Sequence, residues 1–453
     1  STRVPSLPAM CSVTVRLHTS TPTTIHQRRI AATLAHTLAP RPVTGTDLPR
    51  VRTPIPGPAS AAWVDRLAAR ECPAITARRA RRASESGVAH DPIVWESALG
   101  ANVRDVDGNV FVDLTAGFGV AAVGHANPQV VEAVSRQAGV LPHAMGDAFA
   151  DPRRVELMEA LCSRTGMDRV ILGLSGSDAV DAALKTAFLR TGRKRVLGLR
   201  GGYHGLATGS LGVLGYNAPA MRDPFAHNVV VHDTIDVGAA LPDLRPYAAV
   251  ILEPVLGRGG MKRLPAPWLG ELHAAARAAG ALVIHDEIYS GCGRTGHFLA
   301  ATDPPDLLCL GKALGGGFPV SACLGTADAM AGWGSSTGAA IHTQTFLGHP
   351  PACAAALATL PLLQALLPTV RATGSQLSTR LRAVPGVHEV TGDGLMLGVV
   401  VSDALVVTRK LLERGYIVLP CGERAEALGI TPPYVVTDPQ LDAFAGALAE
   451  VLA

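Results

Sequence analysis

Lysine occupies only five of the 453 positions (185, 194, 262, 312 and 410), against 35 arginines. One of the five, Lys312, directly follows the apolar run Leu307-Leu-Cys-Leu-Gly311 and precedes Ala-Leu and the triplet Gly315 to Gly317. An ammonium at the end of a buried strand is unfavourable unless it has a task, and three adjacent glycines let a bulky ligand approach the backbone. A snorkelling or ion-paired lysine is the plain alternative. The rarity of lysine and the glycines favour an amine made nucleophilic by desolvation or a neighbouring cation, which condenses with an aldehyde as a Schiff base.

A lysine holding an aldehyde cofactor requires a phosphate cradle, a carboxylate for a pyridine nitrogen and a flat surface against the ring. Each has a candidate just beyond an apolar run. After Val170-Ile-Leu172 comes Ser175-Gly176-Ser177-Asp178 and an Ala-rich helix, a small-residue turn whose N–H groups suit an anion. Asp286 follows Ala281-Leu-Val-Ile-His285 and supplies the carboxylate. Tyr203 or His204, in Gly201-Gly-Tyr-His-Gly205 after a strand ending at Leu199, supplies a stacking face.

The elements that must position these residues follow from the apolar pattern. The runs 170–172, 195–199, 249–252, 281–284 and 307–310 are short, apolar throughout and separated by helical stretches such as 268–279. Strands covered on both faces of a largely parallel sheet read this way, and open α/β sheets bind ligands at the carboxyl ends of their strands. We expect an arm over 1–60, extended or disordered, the N-terminal part of a small domain over 61–124, a large domain over 125–350 and a C-terminal small α+β domain over 351–453. Near the start, Ile93-Val-Trp95 and Val110-Phe-Val112 are expected to flank a turn at Asp107-Gly108-Asn109. The chemical pattern shifts beyond Pro361 to Gly394-Leu-Met-Leu-Gly-Val-Val-Val401.

Composition excludes several classes. Apolar residues make up 48%, charged residues 17%, and mean hydropathy is +0.25, which rules out a disordered or fibrous chain. No uninterrupted apolar run approaches the roughly 18 residues that cross a bilayer, so a soluble protein is expected. A net charge of +3, spread out, gives no nucleic-acid footprint; the cluster Arg78, Arg79, Arg81, Arg82 reads as a solvated helix end or linker. Eight scattered cysteines without a C-x-x-C pair point to reduced thiols, no metal and a cytoplasmic location, and no secretory signal is read.

The segments Ser175-Gly-Ser-Asp-Ala-Val-Asp-Ala-Ala183, Gly202-Tyr-His-Gly205, Glu253-Pro254, Asp286-Glu-Ile-Tyr-Ser-Gly-Cys-Gly-Arg-Thr-Gly296, Gly311-Lys-Ala-Leu-Gly-Gly-Gly-Phe-Pro319 and Thr345-Phe-Leu-Gly-His-Pro350 occur in this order. Together they resemble the class III (ω-) aminotransferases of fold type I, dependent on pyridoxal 5'-phosphate, from about residue 90 to the C-terminus. The resemblance implies a large domain with a mostly parallel seven-stranded sheet covered by helices, plus a smaller α+β domain. It implies Lys312 as the Schiff-base lysine, Asp286 at the pyridine nitrogen and the backbone of Gly176 and Ser177 on the phosphate. It further implies Tyr203 on the ring face, Glu253 as an orienting carboxylate, and Thr345 donated to the phosphate across a homodimer interface.

The chain departs from the family where family members that use glutamate, 4-aminobutyrate or acetylornithine carry two arginines: those places hold Leu206 and Gly429. A bidentate guanidinium is the usual partner of a carboxylate, so the expected substrate lacks a carboxylate in the usual place. Arg258 and Arg424 are the candidate substitutes and Phe118 the candidate pocket wall; ordinary surface or core roles compete for each. The expected function is transfer of an amino group between a donor and a carbonyl acceptor, an amino sugar of secondary metabolism being one such acceptor. Epimerisation or racemisation at an amine-bearing carbon, and a non-catalytic cofactor-binding protein, are the rival readings.

Overall fold

The computed structural model describes residues 43–73, 92–216, 231–334 and 342–453, with positions 80, 83, 84 and 87. The arginine cluster at 78–82 and residues 1–42 of the expected arm lie outside the described residues. Residues 43–60 join the body of the protein. Arg50 bridges Val110, the Asn109 Oδ1 accepts from the Arg52 and Thr53 amides, and the Asp107 carboxylate accepts from those of Ala59 and Ser60.

The strands are β1 (Trp95–Leu99), β2 (Asn102–Asp105), β3 (Val110–Asp113), β4 (Arg169–Gly173), β5 (Arg195–Leu199), β6 (Val231–Ile235), β7 (Tyr247–Leu252), β8 (Val255–Leu256) and β9 (Lys262–Arg263). They continue as β10 (Leu282–Asp286), β11 (Leu307–Leu310), β12 (Ser321–Gly325), β13 (Val387–Asp393), β14 (Met396–Val401), β15 (Tyr416–Ile417), β16 (Leu419–Cys421) and β17 (Ala427–Ile430). The central sheet has seven strands in the order β4-β12-β11-β10-β7-β5-β6, with β12 antiparallel to its neighbours and the other pairs parallel.

Successive residues of these strands enter different cores, as strands buried on both faces must. Ile284 packs with Val180, Ala183 and Ala187 of the helix Gly176–Thr191, whereas Val283 packs with Leu269, Leu272 and Ala276 of the helix Ala266–Ala279. The alanine face of the first helix allows close approach to the sheet, which brings its N-terminus to the carboxyl end of β4.

Two expectations are corrected. The strand across the Asp107–Asn109 turn from β3 is β2, not Ile93–Trp95, and β1 pairs with the outer edge of β2. β2 reads Asn-Val-Arg-Asp, one apolar residue in four, and is held instead by the Asn102 side chain, which donates to Asp47 and Phe111 carbonyls. Pro361 does not mark a change of pattern either: it lies, with Pro368, inside the helix Pro350–Arg382. The hydrogen bonds a helical proline forfeits are offset there by burial of Leu360, Leu363, Leu367 and Val370. By length and average composition this helix is apolar enough to cross a membrane, but half of its most apolar stretch is buried in the fold.

The first sheet is completed from the far end of the chain, because β15 pairs in parallel with β3. A second small sheet has the order β13-β14-β17-β16.

Candidate active site

All strands of the central sheet except β12 run the same way, so their carboxyl ends share one edge. Register then decides which residues meet. His285 is level with Leu252 and Asp286 with Cys309, which sets Glu253 and Asp286 side by side and places Lys312 three residues beyond Asp286's partner. Ser321 is level with Gly173, just before the Ser175 turn.

The turn at Ser175 closes as a capping box. The Ser175 hydroxyl accepts from the Asp178 amide at 3.2 Å, and the Asp178 carboxylate accepts from the Ser175 and Leu174 amides at 3.0 Å each. This uses the Ser175 side chain and leaves the Gly176 and Ser177 amides pointing out of the helix N-terminus, where backbone donors and the helix dipole suit an anion. The Ser177 hydroxyl points at Gly205: a Cβ there would lie 2.1 Å from it, and Gly205 has φ +106°.

Asp286 is 4% exposed. Its Oδ2 meets Nδ1 of His204 at 2.8 Å, and its Oδ1 accepts from the Ile288 amide at 3.1 Å. Of the two candidate stacking faces, His204 is thus buried behind Asp286 rather than open to a ring, which corrects its expected stacking role and leaves Tyr203. The Tyr203 amide donates to Glu253 Oε1 at 2.8 Å, and the Gly257 amide to Oε2 at 3.1 Å. Burial pushes the Glu253 carboxyl up to about 7, with His204 opposing the rise and Asp286 adding to it. Glu253 therefore fixes the backbone on which Tyr203 stands.

Lys312 starts a short 3-10 turn with φ +38°, a strained setting for a side chain that aims it away from the regular strand direction. Its Nζ stands 4.3 Å from the ring centre of Tyr289. Burial lowers its pKa; Asp286 and Glu253 oppose that and Arg258 and Arg294 reinforce it. Tyr289 is clamped in turn. A Cβ on Gly119 or on Gly257 would lie 2.6 Å from its ring, and its hydroxyl meets the Thr431 hydroxyl at 3.0 Å.

Among the candidate substrate residues, Phe118 is 64% exposed and adopts φ +64° in the turn Ala116–Gly119, and Leu206 is 45% exposed. Arg258 stands 4.9 Å over the Tyr203 ring, and its carbonyl accepts from the Gly422 amide at 2.8 Å. That bond brings the 420–424 loop alongside, but Arg424 itself is exposed, with its amide on Glu426. Thr345 is exposed as well; next to it, Gln344 reaches the Asp178 carboxylate of the same chain at 3.5 Å.

Sequence reasoning gave no role to Tyr289, Arg294, Thr431 or Asp113. The first two lie inside the Asp286–Gly296 motif, and an aromatic and an arginine between glycines were the available signals. Asp113, at the end of β3, collects the Thr115 amide and hydroxyl, the Gly117 amide and His125 Nε2 at 2.6–3.0 Å, and so shapes the turn carrying Phe118. Among the described residues no cluster of His, Cys, Asp and Glu is arranged to hold a metal ion.

Residues 83–452 match the family model for class-III aminotransferases. An acetylornithine aminotransferase from Corynebacterium efficiens is 36% identical over 384 residues, covering 80% of this chain and 93% of that protein. A 5-aminovalerate aminotransferase from Pseudomonas aeruginosa is 33% identical, covering 79% and 93%. The ornithine aminotransferase of Toxoplasma gondii, in a structure with partial occupancy of pyridoxal phosphate at its active site, superposes with TM-score 0.74 at 29% identity, covering 89% of this chain and 98% of that one.

Proposed function

The chain belongs to the class III aminotransferases, of fold type I and dependent on pyridoxal 5'-phosphate, and we propose that Lys312 carries the cofactor and Asp286 holds its pyridine nitrogen. The observation that carries this reading is the convergence at one sheet edge of the Lys312 amine, the Asp286–His204 pair and the outward amides of Gly176 and Ser177. These residues fit the group. The amides suit its phosphate, Gly205 leaves room for the Ser177 hydroxyl, and the buried carboxylate suits a protonated ring nitrogen.

Bound there, the cofactor supplies a carbonyl that captures the donor amine and a ring that takes up the electron pair released when the substrate carbon loses its proton. The protein does the rest. Lys312, its pKa lowered by burial, would take and return that proton; Asp286, oriented by His204, would hold the ring nitrogen; Glu253, by fixing the Tyr203 backbone, would keep that side chain available to the ring. The reaction consumes a small-molecule amine and a carbonyl acceptor.

We read the acceptor as lacking a carboxylate at the place the family's arginines reach. Leu206 offers no fork, and at Gly429 a side chain would meet the Met261 methyl at 3.1 Å. An amino-sugar precursor, with hydroxyls in place of a carboxylate, suits such a site. The relatives' names, all aminotransferases, support transfer over epimerisation. We also propose a homodimer, supported by the exposed Met145, Phe149 and Phe346 on adjoining loops; the exposed Thr345 would there reach the phosphate cradle of the second copy. Seven described cysteines without a disulfide support a cytoplasmic setting.

The test is a panel of amines and carbonyl acceptors read by mass, run on wild type beside Lys312→Ala. Transfer to carboxylate-free acceptors by wild type alone supports the reading. Preferred transfer to a 2-oxo acid over carboxylate-free carbonyl compounds would overturn the acceptor assignment, and solvent deuterium entering the substrate without transfer would favour epimerisation.

A further inference from the structure

Arg294 heads the largest fully buried side chains among the described residues, with no exposed surface, and no described carboxylate forms an ion pair with it. Its partners are backbone carbonyls. Nη1 donates to Leu395 O at 3.2 Å and Pro432 O at 2.5 Å, Nη2 to Gly119 O at 3.4 Å, and its Cζ stands 4.6 Å from the Tyr434 ring centre. Its Nε is buried without a partner. Taking a guanidinium out of water without a counter-ion is strongly unfavourable, and an apolar side chain would pack there without that penalty.

The carbonyls come from three separate stretches of chain, and two of these form the wall facing Lys312. A Cβ on Gly119 would lie 2.6 Å from Tyr289 and 3.7 Å from Lys312 Cδ, while Thr431, next to Pro432, bonds the Tyr289 hydroxyl. The Ala116–Gly119 turn is one the backbone resists, with φ values of 47°, 56°, 64° and 84° at four successive residues, two of them not glycine. Asp113 holds its start and Arg294 its end.

We propose that Arg294 is a positioning residue for Lys312: its guanidinium, fixed behind Tyr289 by backbone carbonyls, holds the Ala116–Gly119 turn and the Tyr289 ring against that side chain and adds a positive charge to the same wall. The inference rests on Lys312 carrying the cofactor. Burial is the main influence lowering the amine's pKa; of the charged groups, Asp286 and Glu253 favour the ammonium and Arg258 and Arg294 oppose it, with the Tyr289 ring against the Nζ. Arg258 is exposed, and solvent and salt screen it. Arg294 is buried, so its field persists.

The test is a pH titration of the cofactor absorbance in the loaded protein, which reads protonation of the Lys312 nitrogen once it is joined to the cofactor, for wild type, Arg294→Lys and Arg294→Gln, with borohydride mapping of the cofactor-bearing lysine in each. Lysine keeps the charge and loses the fork; glutamine keeps donors and loses the charge. In Arg294→Gln the midpoint is expected to rise by about one pH unit, and in Arg294→Lys it is expected to stay at the wild-type value while kcat falls about tenfold with little change in KM. An unmoved midpoint in Arg294→Gln, or an equal shift in both variants, overturns the proposal. Wild type gives a second reading should Arg294→Gln fail to fold. A midpoint that stays put between about 0.05 and 0.5 M salt supports the buried charge, and one that climbs assigns the effect to Arg258 and overturns it. A borohydride adduct on another lysine in wild type would instead sink the Lys312 assignment on which the inference rests.

Discussion

His204 Nδ1 lies 2.8 Å from Oδ2 of Asp286, and both side chains are shut away from solvent. With Oδ1 held by the Ile288 amide, the carboxylate has one orientation open to it. Hydrogen bonds to charged groups contribute about 1.5–3 kcal/mol. Replacing His204 with Phe, which fills similar space, should therefore weaken cofactor binding by roughly tenfold to a hundredfold, measured by equilibrium dialysis. Unchanged affinity would mean that Asp286 needs no such support.

The Ser177 hydroxyl occupies the space a side chain at position 205 would take. Gly205→Ala puts a Cβ 2.1 Å from that oxygen, at a φ of +106° that alanine rarely adopts. The phosphate cradle must shift, and cofactor affinity should fall about tenfold or more. Gly270→Ala is the control: it sits in the helix Ala266–Ala279 with nothing within 4 Å of the new Cβ. It should raise stability by about 0.5–1 kcal/mol in thermal melts, with affinity unchanged.

Glu287 is buried at the end of β10, accepting from Ser290 and from the Ala300 and Ala301 amides. Burial pushes its carboxyl up to about 7 from the ordinary 4.5. A group whose folded pKa is raised binds more protons folded than unfolded between those two values, so wild-type stability falls as pH rises from about 4.5 to 7, by up to about 3 kcal/mol from this group. Glu287→Gln lacks the titration, and its amide cannot accept from all three donors. The Tm advantage of wild type over the variant should be widest at about pH 4.5 and narrow by pH 7.5; a constant gap would contradict the assignment.

Why some parts of this account were legible in sequence and others not follows from where their information lies. β7, β10 and β11 are apolar throughout because helices cover both faces, and Asp286 and Lys312 stand out as charges just past such runs. β12, Ser-Ala-Cys-Leu-Gly, runs against its neighbours and is made mostly of small residues, so no pattern marks it. The surroundings of Tyr289 were invisible for another reason. Gly119, Gly257 and Thr431 meet its ring and hydroxyl from stretches far apart in the chain, and only the closed fold brings them together. His204 stands out in sequence as an aromatic, but its bond to Asp286 depends on β5 and β10 ending at the same edge.

The central claim is that the amine at position 312 bears the cofactor. Reducing the loaded protein with borohydride, digesting it and mapping the phosphopyridoxyl adduct by mass tests this directly. The account predicts the adduct on the peptide containing Lys312 and its loss in Lys312→Ala. An adduct on Lys185, Lys194, Lys262 or Lys410, or no adduct in a protein that still transfers amino groups, would contradict it.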